Sequence, residues 1–217
     1  MRRNVVIGKN SNIYRLMINH AYFLNLNICA IGHSEIASFD FNQSDLVWIM
    51  SYSKSTLENN EMFRLLSLTG AKDFIYISSA SVNVVNDTKC YRYPNAKFAA
   101  EFNAISILGA RILRIGLIYT DLCTLPAGLT MATSIAMLSN YIGEISNGKP
   151  FNTSNLFTPT YRPFINIFEK YLYNLYGYLM NFFWFYPCML RPIDYFLRSM
   201  NMKWYGYLFL SNKKYGL

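Results

Sequence analysis

The sequence predicts an α/β fold, a doubly wound parallel sheet followed by a small, mainly helical C-terminal lobe, on three observations. Val5-Val6-Ile7, Leu46-Val47-Trp48-Ile49-Met50 and Phe74-Ile75-Tyr76-Ile77 are short apolar runs, rich in β-branched and aromatic residues, as expected of strands buried on both faces. Stretches of helical periodicity separate them, an alternation whose default is parallel pairing through right-handed crossovers. After Gly116 the alternation stops, and from Phe164 the chain becomes strongly aromatic.

A chain of 217 residues suits one domain with a small second lobe, here residues 1–125 and 126–217. Its 53% hydrophobic and 15% charged composition supplies a large core and excludes disorder. The net charge of +8 points to an anionic partner: nucleotide phosphate, acidic lipid or nucleic acid. No recognised module or Lys/Arg run supports nucleic acid. Cys29, Cys90, Cys123 and Cys188 are scattered without a Cys-x-x-Cys pair, which fits a reducing compartment, and two His residues make a catalytic metal site improbable. Met1-Arg2-Arg3 runs straight into a strand with no signal-peptide apolar region, so a cytoplasmic location is expected.

In chain order, the strand at residues 5–7 is followed by Gly8-Lys9-Asn10-Ser11-Asn12-Ile13-Tyr14, where a Rossmann-type sheet turns from strand to helix. In that turn Gly permits the bend, and amides at the helix start bind pyrophosphate. A helix over residues 12–24 leads to a strand over 27–31 and to Gly32-His33-Ser34-Glu35, with His33 read as a loop residue. Neither an acid nor a base sits plainly at that strand end, which leaves NAD and NADP both open. Residues 46–50 make the next strand. Leu57, Met62, Leu65, Leu66 and Leu68 give a helix its core face, and Gly70 its C-cap.

The segment from Phe74 to Lys97 organises the rest. Its strand ends in Ser78-Ser79-Ala80-Ser81, and a polar loop leads to Tyr93-Pro94-Asn95-Ala96-Lys97. In a helix, the i,i+4 spacing sets phenol and ammonium on one face, about 5–6 Å apart at Cβ. A cation that close favours phenolate; lowering a Tyr pKa from about 10 to about 7 takes about 4 kcal/mol. Such a Tyr gives a proton to a carbonyl oxygen or takes one from a hydroxyl. With 18 Tyr in the chain such a pair also arises by chance, so its context carries the weight.

Ile77-Ser78-Ser79-Ala80-Ser81-Val82, Tyr93 to Lys97 with Glu101, and Leu113-Arg114-Ile115-Gly116 together resemble the extended branch of the short-chain dehydrogenase/reductase superfamily, which includes nucleotide-sugar epimerases, dehydratases and ketoreductases. The resemblance implies hydride transfer between nicotinamide, as NAD or NADP, and a carbon of a sugar-linked substrate. It makes Tyr93 the acid/base, Lys97 the group that lowers its pKa and holds the nicotinamide ribose, and Ser79 the hydrogen-bond partner of the reacting oxygen. Gly8 and Ser11 would face pyrophosphate in a turn completed by Lys9, Asn12 and Ile13; Ser51 would face the nicotinamide side. Phe39-Asp40-Phe41 would be the remnant of a shortened third, edge strand, with Asp40 and Phe41 beside adenine, or else a turn Asp flanked by core aromatics. Of the family's Gly-x-x-Gly-x-x-Gly only Gly8 is kept, with Ser11 and Tyr14 in the other two places. The substrates implied are nucleotide- or lipid-linked sugars of bacterial surface polysaccharide synthesis. The alternative is a catalytically inactive scaffold whose tail binds a membrane or a partner enzyme; an enzyme acting on a sterol- or isoprenoid-like hydrophobe is a third reading.

The resemblance does not cover the tail. After a helix over residues 129–145 and a turn at Asn147-Gly148-Lys149-Pro150, Ile165, Phe168, Leu172, Leu175, Leu179 and Phe182 make one apolar helical stripe. Residues 171–190 carry no charge and approach the roughly 20 residues that cross a bilayer. Asn174, Gly177, Asn181 and Pro187 interrupt them, while the tyrosines and Trp184 suit an interface. Interfacial helices on the cytoplasmic leaflet, a lobe or homodimer contact, and a true span all stay open. Pro192 would open a last helix, with Asp194 and Arg198 paired; Arg191, Arg198, Lys203, Lys213 and Lys214 suit anionic headgroups.

Overall fold

All four residues of β1 (Asn4–Ile7) are buried, because helices cover both faces of the sheet it belongs to. The computed structural model describes the chain apart from residues 1, 25, 54, 88–89, 184–185, 200–205 and 217, and apart from the side chains of 21–22, 187–188 and 197–198. After β1 come α1 (Asn12–Met17), α2 (Ala21–Leu24), β2 (Ile28–Ile31), β3 (Leu46–Ile49), α3 (Thr56–Ser67), β4 (Asp73–Ser79), α4 (Arg92–Leu108) and β5 (Arg111–Ile115). They build a parallel sheet in the order β2-β1-β3-β4-β5, extended by the short β8 (Asn155–Leu156). Successive strand residues feed opposite faces. Val5, Ile7, Val47, Ile49 and Tyr76 pack with Met62, Phe63 and Leu66 of α3 and Ala100 and Ala104 of α4. Val6, Trp48, Ile75, Ile77 and Leu113 pack on the other face with Met17, Phe23 and α5 (Ile135–Ser146).

The predicted sheet is present, with local corrections. The expected helix over 12–24 breaks after Met17. Met17 and Phe23 are both buried on the sheet, and one continuous helix would turn them about 120° apart. Residues 33–45 form no strand; a 3-10 turn (His33–Ser38) and a loop replace it. Ile36 and Phe41 fill the core there, with Phe39 edge-on to Phe41. In α3 the inward face is Met62, Phe63 and Leu66, whereas Leu57 and Leu68 are exposed. Leu68 is the C-cap, and Gly70 is needed because a Cβ there would lie 2.8 Å from the Phe41 carbonyl oxygen.

A second sheet was not foreseen. It consists of β6 (Leu117–Tyr119), β7 (Gly128–Ser134) and β9 (Thr158–Arg162) in the order β6-β7-β9. The helix expected from residue 129 begins only after Ser134, whose Oγ accepts from the Met137 amide at 3.1 Å. Gly116 lets the two layers meet, since a Cβ there would lie 2.5 Å from the Met131 carbonyl oxygen. The expected boundary at residue 125 is crossed, because α5 and β8 return to the first sheet.

The tail forms α6 (Ile167–Phe183), α7 (Pro187–Ser199) and α8 (Gly206–Lys214). Tyr176, Met180, Leu190 and Leu210 close over Val84, Tyr91 and Ala127. This puts the tail over the carboxyl end of β4 and the start of α4. The predicted apolar stripe is split: Ile165, Phe168, Leu175 and Phe182 are exposed, Leu179 is half-buried and Leu172 packs on the core that Tyr176, Gly177 and Met180 face. Pro192 lies inside α7 and does not open it. Among the described residues no helix is long and apolar enough to cross a membrane. Trp184, Lys203 and the Arg198 side chain lie outside the described residues.

Candidate active site

The strand order places a topological switch point between β1 and β3: the chain leaves β1 for β2 on one side and returns to β3 on the other. Crevices at such points, beyond the carboxyl ends of the strands, are where open α/β sheets bind ligands. Gly8 and Ser51 meet there. Gly8 has φ +111, and a Cβ on it would lie 2.9 Å from the Ser51 Cβ, so only glycine fits the turn. Ser11 caps α1, its Oγ accepting from the Tyr14 amide at 3.2 Å. Tyr14 does not obstruct the helix, because its ring turns aside onto Phe23 at 5.9 Å between centroids.

At the next strand end, Ser79 Oγ shares a hydrogen bond with Ser81 Oγ at 2.9 Å and caps the 3-10 turn (Ala80–Val84). Tyr93 and Lys97 both lie in the first turns of α4, as their spacing predicts. With Ser78, Ser79, Asn12 and Ile13 they line one cavity of about 410 Å³. Ser78 Oγ is buried there with no partner among the described residues, an orphan that a ligand atom would satisfy. The start of α1, just after the Gly8 turn, and the Tyr93–Lys97 pair thus border one space, whose lining fits the nicotinamide end of a dinucleotide; Gly8, Lys9, Ser11 and Ser51 stand outside that lining.

The electrostatics differ from the sequence-based expectation. Burial pushes the Tyr93 phenol above its ordinary 10.0, with a hydrogen bond from Ser79 opposing the rise. Lys97 is buried, and burial lowers its pKa to about 7, against the pull of Glu101. Its Nζ donates to Tyr76 Oη at 3.3 Å and to the Ile77 carbonyl at 3.2 Å. It also sits over the rings of Tyr52, 4.7 Å from the centroid, and Tyr76, 5.0 Å, whose faces offset part of the lost hydration. Near neutral pH the phenol is therefore protonated, and Lys97 is poised between its two states. A phenol in that state can give a proton but not take one.

Asp40 and Phe41, expected beside adenine, are not brought to this site. Arg3, which precedes β1, donates to the Asp40 carbonyl at 2.6 Å and to Asp45 Oδ2 at 2.6 Å. Both residues therefore belong to the amino end of the sheet, because residues 33–45 run back down its face without forming a strand. Three residues escaped the sequence reading. Glu35 stands beyond the carboxyl end of β2, accepting from the Gly32 amide at 2.5 Å and pairing with Lys9. Both contacts hold its carboxyl below the usual range. The Gly-x-x-Glu capping spacing was its available signal. Tyr52 and Tyr207 flank the Tyr93 ring, each 5.6 Å away between centroids. Neither carries a motif.

Sequence comparison finds no matching protein-family model and no matching curated protein. Comparison of structures does find likenesses. A dTDP-4-dehydrorhamnose reductase from Bacillus anthracis, solved with NADP, superposes with a TM-score of 0.54 at 12% identity, over 73% of this chain and 76% of its own. A short-chain dehydrogenase/reductase from Veillonella parvula gives 0.52 at 12% identity, over 69% and 89%. The chain shares the Rossmann-type fold of these two proteins. A third example of this fold, MoeE5 in complex with UDP-glucuronic acid and NAD, gives 0.52 at 12% identity, over 71% and 75%.

Proposed function

We propose that the protein is an NAD(P)-dependent oxidoreductase or epimerase acting on a nucleotide- or lipid-linked sugar, with surface polysaccharide synthesis as its setting. The observation that carries this reading is the convergence of Ser79, Tyr93 and Lys97 on a cavity that reaches Asn12 and Ile13 beside the Gly8 turn. The solved structures of this fold that hold NADP, or NAD with UDP-glucuronic acid, support the cofactor and substrate class. A bound nicotinamide would supply or accept the hydride. The chain's own residues do the rest: Tyr93 gives its proton to the carbonyl oxygen, Ser79 hydrogen-bonds that oxygen, and Lys97 brings a titratable ammonium one helical turn below the phenol. Glu35, beyond β2 where an acid meets a ribose 2′-hydroxyl, supports NAD over NADP.

A test follows NADH oxidation with UDP- or dTDP-linked 4-keto sugars at rising pH. Reduction is expected to weaken near pH 7, where Lys97 loses its proton, and to fall away above pH 10, where Tyr93 loses its own. A rate that rises as Tyr93 deprotonates would remove it from the donor role.

The outward face of α6 supports peripheral contact with the cytoplasmic leaflet. Ile167, Phe168, Tyr171, Tyr178 and Phe182 are exposed along it, with Lys170 among them. Such a mixture of rings and apolar chains suits the headgroup level, and a net charge of +8 suits anionic lipid. Co-sedimentation with phosphatidylserine vesicles is expected, weakened by salt. A salt-insensitive dimer that ignores vesicles would assign the face to a second copy.

A further inference from the structure

Around Tyr93 the space is divided in two. Beside the cavity of about 410 Å³ lies another of about 360 Å³, and the residues lining both are Tyr93 and Tyr207. The second cavity is bordered by Tyr52, Arg92, Arg191 and Asp194, and Asn12 and Ile13 line only the first. Tyr207 comes from α8, in the part of the chain furthest in sequence from the Gly8 turn.

That helix is fixed at several points around the site. Ser211 Oγ donates to the Ala80 carbonyl at 3.2 Å and bonds Asn83 Oδ1 at 2.9 Å, both in the turn after Ser79. Asn212 grips β7, accepting from the Met131 amide at 2.9 Å and donating to the Leu129 carbonyl at 3.1 Å. Gly206 begins the helix, its amide held by Asp194 Oδ1 at 2.8 Å. With α8 so held, the Tyr207 ring lies over Tyr93 at 5.6 Å with the planes 34° apart, and edge-on to Tyr91 at 5.6 Å. Tyr52 stands edge-on to Tyr93 at 84°. The Tyr93 ring is thereby restrained by a tyrosine from β3's loop and a tyrosine from the C-terminal helix.

We propose that Tyr207 is a positioning and specificity-determining residue of the reaction site: it steadies the Tyr93 ring and forms the partition that sizes the two cavities separately. It acts through Tyr93 and through exclusion of volume, and its role in turnover rests on the oxidoreductase reading given above. A ring held on two sides keeps its hydroxyl aimed at Ser79, and misplacement of a proton donor by about 1 Å costs about 100-fold in rate. Without the partition the cavities merge, and bulkier ligands are admitted.

The test labels tyrosine ring Cζ with ¹³C in the full chain and follows the Tyr93 resonance with pH, assigned by its loss in Tyr93→Phe. The groups facing that phenol are Ser79 and Tyr76 from β4, Tyr52 from the β3 loop, Arg92 and Lys97 on its own helix and Tyr207 on α8, with Cys90, Tyr91, Arg191, Asp194 and Tyr195 around the second cavity. In the wild-type chain Tyr93 is expected to titrate above 10.0, since burial dominates. Tyr207→Ala should bring it down toward 10.0 by wetting the ring; Tyr207→Phe should leave it in place. NADH binding should persist in both, and kcat for a 4-keto sugar should fall about tenfold to 100-fold in Tyr207→Ala alone. Should the alanine variant not fold, Tyr207→Ser removes the ring with a polar side chain in its place and carries the same test. An unchanged Tyr93 titration in a folded ring-less variant would overturn the proposal. Loss of NADH binding by the wild-type chain would instead strike the oxidoreductase reading, while the titration still decides the role of Tyr207.

Discussion

The β4–α4 segment and the tail helices both line the same cavity, but by different physics. In β4–α4 one buried strand ends at Ser79 and the next helix carries Tyr93 and Lys97 on one face, so local geometry alone assembles the group. The tail brings a single ring, Tyr207, and needs Ser211 and Asn212 anchored to two other elements to do so. Chemistry set by spacing within one element survives as a pattern, whereas a contribution set by tertiary docking leaves none.

The largest expected effect tests the first region. Tyr93→Phe should lower turnover by about 10²–10⁴, the usual worth of a positioned acid. NADH binding, measured in the same variant, should be retained. Wild-type-like turnover would leave the β4–α4 pattern without chemical content. Gly8→Ala comes next. At φ +111 and with a Cβ 2.9 Å from that of Ser51, it should cost about 1–3 kcal/mol in urea unfolding and abolish NADH binding.

A third effect separates the buried cation from its rings. Between pH 7 and 10.5 the unfolded chain holds a proton on Lys97 that the folded chain has released, so stability should rise with pH across that window. The slope for one proton is about 1.4 kcal/mol per pH unit. Lys97→Met should remove that contribution, and an unchanged slope would mean that Lys97 is not desolvated. The smallest effect belongs to the tail's outer face. Phe168→Ser with Tyr178→Ser should change stability by no more than about 0.5 kcal/mol each while cutting vesicle binding.

Much of the first region was legible. Strands with apolar runs and β-branched or aromatic content formed, because a sheet covered on both faces demands such runs. Tyr93 and Lys97 lie one helical turn apart in α4, as the spacing implied, and line one cavity with Ser79. The electrostatic reading reversed: the spacing promised a cation that favours phenolate, yet burial of both groups outweighs their proximity and keeps the phenol protonated. Asp40 and Phe41 failed because their placement depended on a third strand that residues 33–45 do not form. The tail stripe was real in period but only Leu172 of it packs on the core, since a helix with rings on most of its sides leaves the choice of inner face to the small residue Gly177, against which Phe209 packs.

The most direct measurement is titration of the purified chain with NADH and with NADPH, following fluorescence transfer from its tryptophans, including Trp48 in β3 next to β1. Saturable binding, tighter for NADH because Glu35 stands beyond β2, is the predicted result. Failure of both nucleotides to bind would contradict the reading of the Gly8 turn and the Tyr93 cavity as one dinucleotide site.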